Sequence, residues 1–214
     1  MIDNKNFFVT SLLKWWKKNK RDFPWRKTND PYKILIAEIM LQRTKAEQVK
    51  PVYTLFINKY QTPEKLASAK ENDLAEILRP LGLAYRTKRF LDIGKLLMNN
   101  FQNKVPKKES DLITLPGVGP YIANAVLCFA YNKEVPLIDT NILRVLNRVF
   151  SIEISTESHK NKGLWEMMTN IVPCGNASTF YFSLLDFASA ICKKKNPIHN
   201  LCPLKNICDY FLNY

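Results

Sequence analysis

Leu115-Pro116-Gly117-Val118-Gly119-Pro120-Tyr121, read together with the later Val135-Pro136-Leu137-Ile138-Asp139-Thr140-Asn141, decides how the rest of this chain is understood. The first stretch joins a short helical segment to a longer one, and its two glycines let the backbone turn sharply and approach a ligand closely. Backbone N–H groups then point outward at the start of the second helix, where unpaired amides and the helix dipole both favour negative charge such as a phosphate. Contacts of that kind carry no sequence information. Two glycines alone favour an ordinary tight helix–helix turn, because Gly-rich turns are common and weak as motifs.

Outward from the hairpin, apolar residues recur at helical spacing through Phe7–Trp16, Ile34–Leu41, Val49–Tyr60, Leu74–Leu78, Phe90–Phe101, Tyr121–Ala130, Thr140–Phe150, Leu164–Ile171 and Thr179–Ile191. Almost nothing alternates with period two. Breaks fall at Phe23-Pro24-Trp25, Asp30-Pro31, Pro80-Leu81-Gly82, Val105-Pro106, Pro116-Gly117 and Val172-Pro173-Cys174-Gly175, which predicts an all-α fold with short connections.

The 214 residues suffice for a sizeable core. Against 19 Asp and Glu stand 32 Lys and Arg, a formal net charge of +13 that favours a polyanionic partner such as nucleic acid. The opening MIDNKNFFVT lacks a basic region followed by a long apolar run, and Glu38 interrupts the most apolar stretch, Ile34 to Leu41. The expectation is an intracellular, cytoplasmic protein with no membrane association. In that compartment the gathering of Cys192, Cys202 and Cys208 near the C-terminus points to a metal more than to disulfides.

Two carboxylates stand out. Asp139 occupies an expected helix N-cap position, which by itself explains an aspartate there. Glu38 lies among Ile34-Leu35-Ile36-Ala37 and Ile39-Met40-Leu41 on a helix that should be buried, and burial without a partner is costly. It reads either as half of a structural ion pair or as a carboxyl whose pKa is raised by desolvation, able to hold and donate a proton.

With these features in hand, the chain resembles the helix-hairpin-helix DNA glycosylase superfamily that includes endonuclease III, the adenine glycosylase MutY and the archaeal thymine mismatch glycosylases. The resemblance covers nearly the whole chain. It is carried by the hairpin and Asp139, by Arg21-Asp22-Phe23-Pro24-Trp25-Arg26, Asp30-Pro31-Tyr32 and Glu38-Ile39-Met40-Leu41-Gln42-Arg43-Thr44, and by the Cys-rich tail in the family's order. It implies two helical lobes with a DNA groove between them, residues 25–135 forming one and residues 1–24 with 136–214 the other. The implied partner is double-stranded DNA containing a mismatch, bound by a monomer.

By the same resemblance Asp139 supports the positive charge that develops on deoxyribose as the glycosidic bond breaks, and Glu38 assists departure of the base and activates water. Position 121 separates the family's chemistries. Bifunctional members carry a lysine there that forms a Schiff base with the sugar, whereas this chain has Tyr121, which implies an abasic product without efficient strand cleavage. Gly117, Val118, Gly119 and Asn141 are implied in holding DNA. Gln42 and the loop Leu83-Ala84-Tyr85-Arg86 are implied in wedging the duplex open so that the target base can be flipped out, and Arg43 in binding DNA.

Thymine or uracil opposite guanine is the expected target, with adenine opposite guanine or 8-oxoguanine the alternative. Ala46, within Arg43-Thr44-Lys45-Ala46, follows the thymine enzymes, and Phe182 stands at the base pocket where MutY typically has glutamine. MutY proteins also usually carry a further C-terminal domain, whereas this sequence stops at Tyr214. The family commonly binds a [4Fe-4S] cluster through four cysteines spaced by six, two and five residues. Here Cys192, His199, Cys202 and Cys208 hold that spacing, with histidine at the second position. Cys₃His ligation of a cluster, a zinc ion, and loss of the metal are the three readings, with ligation preferred. Rival classes are a DNA-binding module that has lost its chemistry, against which the two carboxylates argue, and a redox sensor on the same scaffold.

Overall fold

The computed structural model describes residues 2–153 and 161–213. In chain order its helices are α1 (Ile2–Asn19), α2 (Pro31–Leu41), α3 (Ala46–Lys59), α4 (Pro63–Ala67), α5 (Glu71–Leu78), α6 (Thr87–Phe101), α7 (Glu109–Leu112), α8 (Pro120–Tyr131), α9 (Thr140–Phe150), α10 (Lys162–Ile171), α11 (Ala177–Ala190) and α12 (Asp209–Leu212). No strand occurs among the described residues, so the fold is all-α, as the 3.6-residue periodicity required. No helix among them is long and apolar enough to cross a membrane.

The chain divides into two compact units, Asp22–Tyr131 and Met1–Arg21 with Asn132–Tyr214. The continuous unit is built on α2 and α8, which pack against each other and are buried along most of their lengths. The Asp30-Pro31 break opens α2 directly. Asp30 caps it by accepting from the amides of Tyr32 (2.9 Å) and Lys33 (3.3 Å), and Pro31 stands in the first turn, where its missing N–H costs nothing. The Tyr32 hydroxyl donates to the Tyr60 carbonyl at 2.8 Å and fixes the start of α2 to the end of α3. Where α4 crosses α6, Gly94 lies on the α4 backbone so closely that a Cβ would come within 2.7 Å of the Ala67 nitrogen.

In the discontinuous unit α1 and α9 both pack on α11, and Phe8 meets Phe150 and Phe180 edge-on at centroid distances of 5.2 and 6.3 Å. The N-terminal segment is tied in by Asp186, which is fully buried on α11. Its carboxylate accepts from Trp16 Nε1 (2.8 Å), Arg21 N (3.1 Å) and Arg21 Nε (2.6 Å). Removing one partner of a buried charge pair leaves the other's donors unpaired. Asp186→Ala is therefore expected to cost about 3 kcal/mol of stability, read as a lower urea midpoint; an unchanged midpoint would mean that α1 is held by apolar packing alone.

Candidate active site and DNA interface

In the continuous unit the structure joins residues far apart in sequence. Gln42, at the C-terminal end of α2, donates its side-chain amide to the carbonyl of Gly117 in the hairpin at 3.0 Å, across 75 residues. Arg86 reaches Gln42 Oε1 from the other side at 3.4 Å, donates its Nε to the Tyr85 hydroxyl at 2.8 Å, and stacks over the Tyr85 ring at 5.2 Å. Tyr85 itself is 74 % exposed. Tyr85, Arg86, Gln42 and Gly117 thus form one hydrogen-bonded chain from a projecting aromatic ring to the hairpin.

Leu83, from the same loop, is 3 % exposed, and its amide donates to the Leu78 carbonyl at 3.3 Å. It anchors the loop that Tyr85 tips.

The hairpin sits between α7 and α8. Gly117 has φ +78°, in the left-handed region that glycine adopts without strain. Val118 has a buried side chain, and its amide donates to the Leu115 carbonyl at 3.0 Å. The amides of Gly117 and Gly119 donate to no acceptor among the described residues. Unpaired amides just ahead of a 12-residue helix are groups that favour negative charge.

Just beyond Gln42, Arg43 adopts φ +62°. For a residue with a Cβ this costs roughly 1 kcal/mol or more. The turn carries the chain from α2 to α3, whose first residue is the half-buried Ala46. Glu38 lies on α2 at 7 % exposure, and Tyr121, partly exposed, stands in the first turn of α8. Both belong to the continuous unit.

Asp139 and Asn141 belong to the discontinuous unit, as does the partly exposed Phe182 on α11. Ahead of Asp139 the chain is clamped by Tyr181, whose hydroxyl accepts from the Leu137 amide at 2.9 Å and donates to the Val135 carbonyl at 3.0 Å, while Leu137 and Ile138 are buried. Asp139 then caps α9. Its Oδ1 accepts from the amides of Asn141 (2.9 Å) and Ile142 (2.7 Å), and its Oδ2 accepts from Asn141 Nδ2 at 2.9 Å. Asn141 is fixed in turn by Arg144, which donates to Asn141 Oδ1 (3.0 Å), the Cys192 carbonyl (2.9 Å) and the Ala188 carbonyl (2.9 Å). A carboxylate held in this way cannot rotate freely, and fixed charge of this kind acts without reorganisation during a reaction. Sequence reasoning missed Arg144 and Tyr181; helical position and an apolar neighbourhood hide both.

The tail brings Cys192, His199, Cys202 and Cys208 to the lining of one small pocket together with Arg148 and Tyr210. Arg148 donates to Cys192 Sγ at 3.3 Å and to the Lys193 carbonyl at 2.7 Å, and stacks over Tyr210 at 5.0 Å. Lys193–Lys195 thus contribute backbone to the loop, with the Lys194 carbonyl also accepting from Arg148. Burial pushes the Cys202 thiol up to about 11 and raises that of Cys208 as well. Thiolates at these positions need a bound cation to form near neutral pH. Although the four side chains share a pocket, no three His, Cys, Asp or Glu among the described residues converge tightly enough to hold a single ion. Three thiols and an imidazole are a donor set that either iron or zinc accepts.

Residues 36–169, more than half of the chain, match the model of the HhH-GPD superfamily base excision DNA repair protein. The chain is 35 % identical over 208 residues to a thymine/uracil-DNA glycosylase of Methanothermobacter thermautotrophicus, covering 97 % of this chain and 94 % of the relative. It is 37 % identical over 207 residues to a thymine-DNA glycosylase of Aeropyrum pernix, covering 94 % and 93 %. The solved structure of a thermostable thymine-DNA glycosylase superposes with a TM-score of 0.93 at 34 % identity, over 99 % of this chain and 98 % of that one.

Proposed function

Because the chain belongs to the HhH-GPD superfamily of base excision DNA repair proteins, we propose that it is a monofunctional DNA glycosylase that hydrolyses the N-glycosidic bond of thymine or uracil mispaired with guanine. The observation that carries this reading is the near full-length identity of 35 % to a thymine/uracil-DNA glycosylase and of 37 % to a thymine-DNA glycosylase.

The geometry supports a division of labour. The free amides of Gly117 and Gly119 take a backbone phosphate and set the register of the duplex. Tyr85, braced by Arg86 and through it by Gln42, enters the stack, while Arg43 contacts the strand from the turn after α2. Ala46 and Phe182, one on each unit, are the residues that the family resemblance gives for contact with an extruded base. A mispaired base costs least to extrude, so part of the selectivity resides in the substrate.

Asp139, its orientation set by the α9 amides and Asn141, offsets the positive charge of the sugar as the bond to the base lengthens. Glu38 gives its proton to the departing base and takes one from the water that adds to the anomeric carbon, leaving a free base and an abasic sugar. Tyr121 lines the sugar side of the site without offering an amine for an imine.

Cys192, His199, Cys202 and Cys208 are the residues that would hold a [4Fe-4S] cluster, and Arg148 would face its Cys192 sulfur. When bound, such a cluster braces the tail and supplies a one-electron centre whose potential the histidine and the arginine shift. The enzyme works on DNA inside the cell, as a monomer.

A single-turnover panel of G:T, G:U, A:G and A opposite 8-oxoguanine duplexes tests the reading. Thymine and uracil are expected to be released opposite guanine, with strand breaks appearing only after alkali. Release of adenine alone would reassign the enzyme to the other purine mispairs, and breaks before alkali would end the monofunctional assignment.

A further inference from the structure

One cation beside the hairpin belongs to none of the interactions described so far. Arg89, on α6, lays its side chain flat against Gly117: a Cβ built there would meet its Cδ at 2.7 Å and its Nε and Nη1 at 2.8 Å. Position 117 is therefore glycine on two counts, the backbone angle of +78° and the space the guanidinium fills. Arg89 is only partly exposed, yet among the described residues it makes no hydrogen bond, ion pair or ring contact, and Asp92 one turn later does not pair with it. Other arginines of both units are engaged, Arg86 with Gln42 and Tyr85, Arg144 and Arg148 with carbonyls. A half-buried guanidinium without an acceptor forfeits hydration, and five donors in a planar fork are left to be satisfied.

Three unpaired donors meet at this turn: the amides of Gly117 and Gly119, and the Arg89 guanidinium packed against Gly117. The Gly117 carbonyl is already taken by Gln42. We propose that Arg89 binds the same DNA phosphate as the hairpin amides, closing the seat from the α6 side, and that this contact supplies a charge-assisted share of duplex affinity that amides alone do not. The proposal rests on the DNA glycosylase reading above. Arginine suits the place because its fork grips two phosphate oxygens at once, which an ammonium does not. The same contact keeps the hairpin's orientation linked to α6, the helix that directly follows the Tyr85 loop.

The test is a titration of a G:U duplex carrying a non-hydrolysable 2′-fluoro deoxyuridine, across a range of salt, with wild type, Arg89→Gln, Arg89→Lys and Gly117→Ala. Arg89→Gln is expected to weaken binding about tenfold at low salt and to lower the slope of log affinity against log salt by about 0.9, the signature of one lost phosphate contact. Arg89→Lys should regain the slope but only part of the affinity. Because a methyl at 117 expels the guanidinium, the penalty of Gly117→Ala should shrink in the Arg89→Gln background. Wild-type affinity and slope in Arg89→Gln, or strict additivity of the two substitutions, would overturn the proposal while leaving the glycosylase reading intact. A wild-type protein that neither binds the duplex nor releases uracil from its cleavable counterpart would instead remove that reading, and this proposal with it.

Discussion

Asp139→Asn is expected to leave duplex binding near the wild-type level while base release in a single turnover falls on the order of 10³-fold, the size of effect seen when one fixed electrostatic stabiliser is removed from a transition state. The substitution isolates charge from structure. Asparagine caps a helix about as well as aspartate, so Oδ1 keeps its bonds to the amides of Asn141 and Ile142 and α9 keeps its start. The other end is less comfortable. The new amide nitrogen would face Asn141 Nδ2, donor against donor, and Asn141 cannot simply turn over because Arg144 holds its oxygen at 3.0 Å. A stability loss near 1 kcal/mol should accompany the substitution and appear in thermal melting. That is far too small to account for the rate. Release by Asp139→Asn at the wild-type rate would confine the residue to its capping role and remove it from the chemistry.

Glu38→Gln carries the second large effect. The side chain is buried on α2, and the amide matches the carboxyl in shape, so α2 and its packing on α8 should survive. What the amide cannot do is exchange a proton. Proton transfer by a positioned side chain contributes roughly 10²–10⁴-fold, and base release is expected to drop by that amount at every pH where the wild type works. Measuring the rate at saturating enzyme separates this from binding. A wild-type rate combined with lower stability would identify Glu38 as a structural partner, the plainer of its two sequence readings.

Several of these features could be read from single residues in their local frame. Asp139 announces itself as a cap because an aspartate ahead of Thr140 and Asn141 meets amides two and three residues on, a purely local event. The all-α architecture follows from periodicity, which needs only a turn or two of context. Helices too short to show a period are the ones the pattern passes over: α4 has only five residues and is capped by Thr62, whose hydroxyl accepts from the Lys65 amide. Contacts between distant segments are invisible in the same way. Nothing around Gln42 hints that its amide lies on a carbonyl 75 residues later, and nothing in Thr87-Lys88-Arg89 marks the arginine as the one facing Gly117.

Within the loop of residues 83–86 the sequence does not separate the buried Leu83 from the exposed Tyr85, because burial there depends on packing against α5. In the tail, spacing revealed which side chains belong together, while the pocket they share and the arginine on the Cys192 sulfur depend on how α9 meets the loop.

Arg43, twisted into a left-handed bend that glycine would occupy at ease, sets the terms on which this protein can be hardened. A laboratory evolution campaign that selects for heat resistance would be drawn to position 43, because relaxing the bend is among the cheapest gains available. The same gain would strip a cation from the turn to which the proposed function gives a DNA contact, so survivors of such a screen would be sturdy and slow.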